Sequence, residues 1–252
     1  MRNLFVLGLI VLLLSACVTE KVYKPRDPDR AAELNAELGL GYMRQGQYRR
    51  AMSKLEKAIE YDSENIKALH YKAELHRRLG QSDKAGEYFS LAIDLAPKDQ
   101  LLLINYGVYL CGVKKYDEAI DIFTKSLEDP LYENKARVYE NIGLCRLWQG
   151  KMNQSESAFH QALAINPNMS TSLLELAKVR FDQGKMREAY EYYNRYIGLA
   201  THTPESLWLG ILIEHGRGAK NTVASYKVKL KGRYPDSKET KLLKKFESQG
   251  KL

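Results

Sequence analysis

Glycine, alanine and large apolar residues recur in this chain at a fixed interval of 34 residues. Gly46 and Gly80 are one interval apart, and Gly150, Gly184 and Gly218 repeat the same step. The other residues that keep the interval are Ala51, Ala85, Ala119, Leu55, Phe89 and Phe123. After residue 130 the register slips by two residues and then continues. An interval of this length indicates one structural unit that is stacked several times.

The contents of one interval predict a pair of α-helices. A small residue such as Ala73 lets two helix axes cross closely, Gly80 suits a turn, and Phe89 fills the gap to the next pair. Pro97 ends the second helix, because proline lacks the N–H that a continuing helix donates. This pattern resembles the tetratricopeptide repeat. The resemblance implies an all-α fold, a right-handed superhelix in which each repeat contributes a helix A and a helix B.

The interval divides the chain into segments. Six repeats are predicted at 32–65, 66–99, 100–133, 136–169, 170–203 and 204–237, followed by a basic capping helix at 238–252 that covers the last apolar face. The slip at 131–135 predicts a longer loop between repeats three and four. The sixth repeat departs from the pattern, because Ile211 stands at its small-residue position and Lys227 at its aromatic position.

The first seventeen residues have the layout of a secretory leader. Arg2 precedes the apolar run Leu4–Leu14, whose 11 residues are too short to span a bilayer. Ser15, Ala16 and Cys17 follow and resemble a bacterial lipobox. The resemblance implies a signal peptide at 1–16 and acylation of a mature protein that starts at Cys17. The alternative is an ordinary signal peptide that happens to contain a cysteine.

The residues after the cysteine predict where the lipid holds the protein. Residues 17–31, with Pro25 and Pro28, are predicted to form an extended tether. Val18 stands where an Asp would resemble the inner-membrane retention signal of bacterial lipoproteins. The resemblance therefore implies a lipid anchor in the outer membrane, on its periplasmic face.

The net charge of +8 lies in one C-terminal segment. Residues 217–252 carry 11 Lys or Arg and 3 Asp or Glu, whereas basic and acidic residues balance in the rest of the chain. Such a segment attracts anionic lipid, cell-wall polymer or an acidic partner, and a solvated cap is the simpler interpretation. Nucleic acid is disfavoured, because the predicted lipidation places the protein outside the cytoplasm.

The helix A positions that conventionally line the groove of a tetratricopeptide array predict the binding residues. In repeats three to five these positions are mainly apolar, which indicates a groove for a peptide of a partner protein. This apolar stripe consists of Leu101, Ile104, Val108, Leu144, Leu147, Trp148, Leu174 and Phe181. The alternative is that the superhelix curls tightly enough to bury these side chains against each other.

Repeat two is mainly basic at the same positions, and Lys67, Arg77 and Arg78 are predicted to form a basic part of the groove. Chaperone-binding tetratricopeptide domains hold a C-terminal carboxylate with Lys, Arg and Asn. Here Val108 and Leu144 are among the residues that occupy the position where Asn would be needed. A carboxylate clamp is therefore disfavoured.

The sequence shows no grouping of residues that would support catalysis. Its five histidines lack the spacing of metal ligands, and no phosphate loop or complete dinucleotide-binding loop occurs. The chain is therefore predicted to be a non-enzyme without metal, cofactor or small-molecule substrate.

Two cysteines, Cys111 and Cys145, lie on helices A of neighbouring repeats. A disulfide is possible in an oxidising compartment such as the periplasm. The two residues occupy different repeat positions, however, so two small packing residues are the favoured interpretation.

The order of these features resembles one family of bacterial lipoproteins. A lipobox, a short tether, six repeats and a basic end are together similar to the type IV pilus biogenesis and stability lipoproteins, the secretin pilotins. The resemblance implies a protein partner, the type IV pilus secretin, whose subunits are brought to the outer membrane and assembled into a ring. The alternative is a tetratricopeptide lipoprotein that serves as adaptor or scaffold for periplasmic cell-wall enzymes or proteases.

Overall fold

A computed structural model describes residues 25–252, so the predicted signal peptide, Cys17 and the first part of the tether lie outside the described residues. Every regular secondary-structure element within residues 25–252 is an α-helix, which confirms the predicted all-α fold. No helix in this part of the chain is both long and apolar enough to cross a bilayer. The helices of residues 25–252 are α1 (Pro28–Arg44), α2 (Tyr48–Tyr61), α3 (Ile66–Arg78), α4 (Ser82–Leu95), α5 (Gln100–Gly112), α6 (Tyr116–Ser126), α7 (Lys135–Trp148), α8 (Met152–Ile165), α9 (Ser170–Asp182), α10 (Met186–Ile197), α11 (Pro204–Gly216), α12 (Lys220–Arg233) and α13 (Lys238–Ser248).

The described residues form two compact units, 25–75 and His76–Leu252. In both units the two helices of a pair are joined by a turn of three residues. Most successive pairs are joined by four residues, but α6 and α7 are separated by eight, at 127–134. The longer loop predicted from the slip in register is therefore confirmed.

The turns inside the pairs require a left-handed backbone. The turn glycines have φ values between 71° and 82°, and they are Gly46, Gly80, Gly150, Gly184 and Gly218. A residue with a Cβ atom adopts this conformation at a cost, whereas glycine does not. The turn between α5 and α6 is the exception, because Lys114 has a φ of 66° there. The spacing of the glycines in the sequence thus follows from the turn.

Helices within a pair approach each other at glycine. A Cβ atom added to Gly107 would lie 2.5 Å from Cε1 of Phe123, and one added to Gly143 would lie 2.5 Å from Cε1 of Phe159. Both rings are fully buried. A larger residue at either glycine would displace the ring or separate the helices, because protein interiors are closely packed. The small and aromatic positions of the repeat therefore set the distance between paired helices.

The sixth pair, α11 and α12, corrects the sequence-based register by one residue. A Cβ atom added to Gly210 would lie 2.9 Å from Cε2 of Tyr226, and Tyr226 is buried. The assignment of Ile211 and Lys227 to the small and aromatic positions was wrong. Gly210 and Tyr226 shift together by one residue, whereas the turn residue Gly218 keeps the 34-residue interval from Gly184. The small residue therefore still lies opposite the ring, and the two helices approach as in the other pairs.

Helix α13 closes the C-terminal end of the second unit. The hydroxyl of Ser237 accepts a hydrogen bond from the backbone N–H of Thr240, at 3.1 Å, and so caps the start of the helix. Leu243 is fully buried, and the ring of Phe246 contacts Trp208 edge-on at a centroid distance of 5.2 Å. These contacts fix one face of α13 against the unit and leave the other face to solvent.

Candidate functional site

The predicted apolar stripe lies on α5, α7 and α9, the first helices of three successive pairs in the second unit. Leu101 and Trp148 are the exposed members, at 57% and 58% of their full accessible surface. Ile104 and Leu174 are buried, at 7% and 8%. The remaining members are partly exposed, and they are Val108, Leu144, Leu147 and Phe181. Most of the exposed apolar surface of the stripe is therefore at the start of α5 and at the end of α7.

The buried members of the stripe belong to the interior of the unit. Ile104 lies in a cluster of buried side chains with Phe123, and Val108 packs against that cluster. Leu174 lies in a second cluster, against which Leu144 and Phe181 pack. Ile104 and Leu174 therefore hold the helices together from inside the unit. The partly exposed members pack against the same clusters and keep part of their surface open to solvent. Contact between the stripe and a partner stays a prediction.

A disulfide between Cys111 and Cys145 joins α5 to α7, with the two Cα atoms 5.7 Å apart. The expectation of two unpaired packing residues was wrong. Each helix turns one face toward the preceding pair and another toward the following pair. Residues that meet across two neighbouring helices therefore occupy different repeat positions. The bond fixes the spacing of the two helices that carry six of the eight stripe residues.

A buried carboxylate joins α7 to α9. The Oε2 atom of Glu140 accepts hydrogen bonds from the backbone N–H and the hydroxyl of Ser172, at 3.1 and 2.9 Å. Met169, which precedes the first residue of α9, has no side-chain oxygen to cap the helix. Glu140 supplies that acceptor from the neighbouring pair. The sequence analysis gave it no role, and the missing cap at Met169 is the signal that would have pointed to it.

The cation beside the stripe on α9 is neutralised by carboxylates. The Nζ atom of Lys178 lies 2.8 Å from Oε1 of Glu175 and 2.6 Å from Oε1 of Glu205. Burial alone would lower the pKa of Lys178, but the hydrogen bonds to both carboxylates outweigh burial and raise it. Lys178 therefore links α9 to α11 through its ion pair with Glu205.

The basic part of the predicted groove is divided between the two units. Lys67 lies in the first unit, where it pairs with Glu33 and with Glu37, whose Oε1 lies 3.2 Å from its Nζ. Hydrogen bonds to these two carboxylates raise the pKa of Lys67. Arg77 and Arg78 lie in the second unit, exposed at the end of α3. An anionic ligand of Lys67 would have to displace two glutamates.

The first unit carries an exposed leucine pair that the sequence analysis did not single out. Leu34 and Leu38 on α1 are 56% and 49% exposed, whereas Ala32 and Ala36 are fully buried. Residues two apart in a helix point to roughly opposite sides. The alternation of leucine and alanine along this turn is the sequence signal for the pair.

Histidine, cysteine, aspartate and glutamate side chains do not gather into a possible metal site anywhere in residues 25–252. His76, for example, is buried, hydrogen-bonds Gln81 and stacks on the ring of Tyr88 at 5.4 Å. The candidate site is thus a helix face with apolar and paired charged side chains.

Comparison with known proteins identifies the family. The tetratricopeptide repeat family model matches residues 36–100 and 141–204. The type IV pilus assembly protein PilF of Pseudomonas aeruginosa is 30% identical over 235 residues, which cover 92% of this chain and 93% of PilF. The chain belongs to the PilF family of tetratricopeptide repeat proteins.

Solved structures of PilF-family proteins have the same fold. The structure of Pseudomonas aeruginosa PilF matches with a TM-score of 0.78 and 30% identity, over 86% of this chain and 98% of that one. The structure of PilW, described as a widely conserved type IV pilus biogenesis factor, matches with a TM-score of 0.76 and 28% identity, over 84% of this chain and 97% of that one. The tetratricopeptide fold and the type IV pilus family predicted from the sequence are confirmed.

Proposed function

We propose that this PilF-family protein is a pilotin, which binds subunits of the type IV pilus secretin and promotes their outer-membrane localisation and assembly into a ring. The observation that carries the proposal is the extent of the similarity. The match to PilF covers 92% of this chain, so it includes the order of the helix pairs and not only the repeat that many unrelated proteins contain. Pilus biogenesis is accordingly the process in which the chain acts.

The proposed activity is binding and includes no catalytic step. A tetratricopeptide array offers preformed helix faces, so a partner segment docks without much ordering of the protein. Trp148 and Leu101 supply exposed apolar surface, and large aromatic anchors contribute strongly to protein interfaces. The disulfide and Glu140 hold α5, α7 and α9 in place beneath that surface.

The proposed place of action is the periplasmic face of the outer membrane. Acyl chains on Cys17 would hold the protein there. The tether of the folded units would be shorter than the 17–31 predicted from the sequence, because α1 begins at Pro28. A bound secretin subunit would travel with the lipid anchor. Binding would also cover apolar or strand-edge surface of the subunit and so limit its premature association.

The deciding experiment compares secretin oligomers in cells with and without this protein. On a gel that preserves the oligomer, we expect the large secretin species to be lost in the deletion strain and restored by the wild-type gene. An intact oligomer together with altered cell-wall composition would instead favour the adaptor of cell-wall enzymes or proteases.

The predicted stripe is tested by variants at its exposed members. Leu101→Ser with Trp148→Ala should weaken capture of the secretin by about tenfold or more, because both side chains lose apolar contact area. Leu131→Ser is the matched control, since Leu131 is 85% exposed and lies in the loop 127–134, outside the stripe. Both proteins should keep the wild-type circular dichroism. Equal secretin capture by the double variant and the wild type would reject the stripe as the binding surface.

A further inference from the structure

The C-terminal helices carry more positive charge than the folded structure neutralises. In residues 217–252 only Arg217, Lys227 and Lys231 form ion pairs, and the last two share Glu247. Eight further basic residues of the segment have no ion pair within the part of the chain that the structure describes: Lys220, Lys229, Arg233, Lys238, Lys241, Lys244, Lys245 and Lys251. This contrasts with Lys178, which is held by two glutamates.

Capping alone does not account for this excess. The last helix of a repeat array needs a polar outer face, and a mixture of charges provides one. Helix α1, the first helix of the first unit, has such a mixture, with Asp29, Glu33 and Glu37 beside Arg30 and Arg44. The C-terminal segment instead carries 11 basic and 3 acidic residues. The excess of positive charge is therefore a feature of the C-terminal segment 217–252 and is not what a terminal helix requires.

The lysines of α13 are held at fixed positions on one face. Lys238, Lys241 and Lys245 are exposed and spaced by three and four residues, so they follow one side of the helix. Leu243 on the opposite side is fully buried. The contact of Phe246 with Trp208 also fixes the rotation of α13 about its axis. An anionic partner would meet a preformed row of ammonium groups.

A pocket lies beside these helices. Its volume is about 450 Å³, within the range of sites that hold small ligands or single large side chains. Its lining includes the apolar residues Val223, Ala224 and Leu252 and the basic residues His215, Lys220 and Lys227. Lys227 also pairs with Glu247 of α13, at 3.4 Å. Glu247 lies on the side of α13 opposite Lys238, Lys241 and Lys245, so the basic residues beside the pocket are Lys220, Lys227 and Lys251, the last of which precedes Leu252.

We propose that α12 and α13 form a docking surface for an acidic polypeptide segment, which places one apolar side chain in this pocket. The charge of the surface is complementary to such a segment, and the pocket is lined by both apolar and basic residues. An anionic membrane fits less well. The apolar side chains of α13 face the protein and are not available for insertion, and a flat lipid surface cannot fill a pocket. The inference is independent of the proposed secretin-binding role of the stripe.

The test uses labelled synthetic peptides and fluorescence anisotropy with the purified chain. The first peptide alternates aspartate and glutamate around one central leucine, the second has serine in place of leucine, and the third has asparagine and glutamine in place of the acids. We expect the first to bind most tightly and the third not to bind. Raising the salt concentration should weaken binding of the first peptide, because the ammonium groups are exposed.

Two variants separate the charges from the pocket. Lys220→Glu with Lys251→Glu should weaken binding of the acidic leucine peptide by about tenfold or more, because Lys220 lines the pocket and Lys251 adjoins Leu252, which also lines it. Lys84→Glu with Lys185→Glu is the matched control, because it changes the net charge equally at two exposed lysines that form no ion pair among the described residues. Ala224→Trp should fill the pocket and reduce the affinity for the leucine peptide to that for the serine peptide.

Three results would overturn the inference. The first is an equal loss of affinity in the control pair, which would mean that only the overall charge matters. The second is equal binding of the leucine and serine peptides, which would remove the pocket from the site. The third is binding of phosphatidylglycerol vesicles without binding of any peptide, which would make a membrane the partner. Thermal unfolding of each variant verifies that the fold is kept.

Discussion

Lys114 bears a conformational cost that five other turns avoid. Its φ of 66° is left-handed, and the corresponding residue of the other turns is glycine. Lys114→Gly should raise the free energy of unfolding by about 0.5–1 kcal/mol, which is the left-handed penalty less the extra entropy that glycine loses on folding. Denaturant unfolding measures the change. Lys114→Ala is the control and should bring no gain, because it keeps the Cβ atom; a gain equal to that of glycine would contradict the backbone explanation.

Asp117 makes stability depend on pH in a defined direction. Hydrogen bonds from Arg146 and Gln149 lower the pKa of Asp117 from 3.8 to about 2. A carboxylate with a lowered pKa in the folded state stabilises above its unfolded pKa, and this contribution is lost as the pH falls through about 4 to about 2. Wild type should therefore exceed Asp117→Asn in stability at neutral pH, and the difference should shrink over that range.

The Asp117 prediction is checked by thermal unfolding of both proteins along a pH series. An NMR titration of the Asp117 carboxyl group measures its pKa directly. Arg146→Ala is the control that should move the midpoint back toward the ordinary value, because Arg146 is the largest cause of the shift. A stability difference that is constant from neutral to acidic pH would contradict the assignment.

At the scale of single residues, the sequence predicted the role of side chains that recur in every repeat. It did not predict the role of side chains at which one repeat differs from the others. Gly107 and Phe123 follow from the interval, because the pairs place a small residue opposite a large apolar side chain, as with Gly39 opposite Leu55 in the first pair. Gly210 and Tyr226 were missed by one residue, because the turn residue Gly218 keeps the 34-residue interval from Gly184 while the small and ring-bearing positions on either side of it both come one residue early. Asp117 was not predicted either, because its partners lie on the following pair.

Helix α9 depends on a cap from another helix, and this dependence can be measured. Glu140→Ala leaves the buried N–H and hydroxyl of Ser172 without their acceptor, so the free energy of unfolding should fall by about 1–3 kcal/mol. Glu140→Gln keeps an acceptor oxygen of similar reach and should lose less. Hydrogen exchange should also quicken in the first turn of α9. Equal losses for alanine and glutamine would show that packing, and not the acceptor, is what matters.

At the scale of elements the helices were predictable but the links between neighbouring pairs were not. Periodicity and turn glycines define where each helix begins and ends, because those signals are local. The disulfide of Cys111 with Cys145 depends on which face of α5 meets which face of α7. That pairing depends on the angle between helices, which neither residue spacing nor composition encodes. The hydrogen bonds that Ser172 donates to Glu140 could not be predicted for the same reason.

At the scale of the whole molecule the fold was predictable because one geometry is repeated. Which side chains are exposed was harder to predict than the fold, because the exposure of a side chain depends on its neighbours. Ile104 and Leu174 stand at positions that conventionally face a ligand, yet they are buried, whereas Leu101 and Trp148 are exposed. Partner surfaces on such arrays therefore require the structure.

The proposed lipid anchor is tested at the scale of the whole molecule, because its loss should change the location of the protein but not its fold. Cys17→Ala removes the only proposed acylation site. Each acyl chain contributes about 0.8 kcal/mol per buried methylene, so the unmodified protein should leave the membrane fraction for the soluble periplasmic fraction. Cell fractionation with labelled palmitate measures both modification and location. The folded units should unfold at the wild-type temperature, because residues 25–252 form them without Cys17.

Val18→Asp is the matched control for the anchor, since it keeps Cys17 and alters only the residue after it. This variant should stay acylated and membrane-bound, but it should sediment with the inner membrane on a density gradient. Secretin oligomers should decrease in both variants if the anchor must bring the subunits to the outer membrane. Full oligomer formation with Cys17→Ala would separate the binding role from the anchor, and unchanged fractionation with the outer membrane would reject lipidation at Cys17.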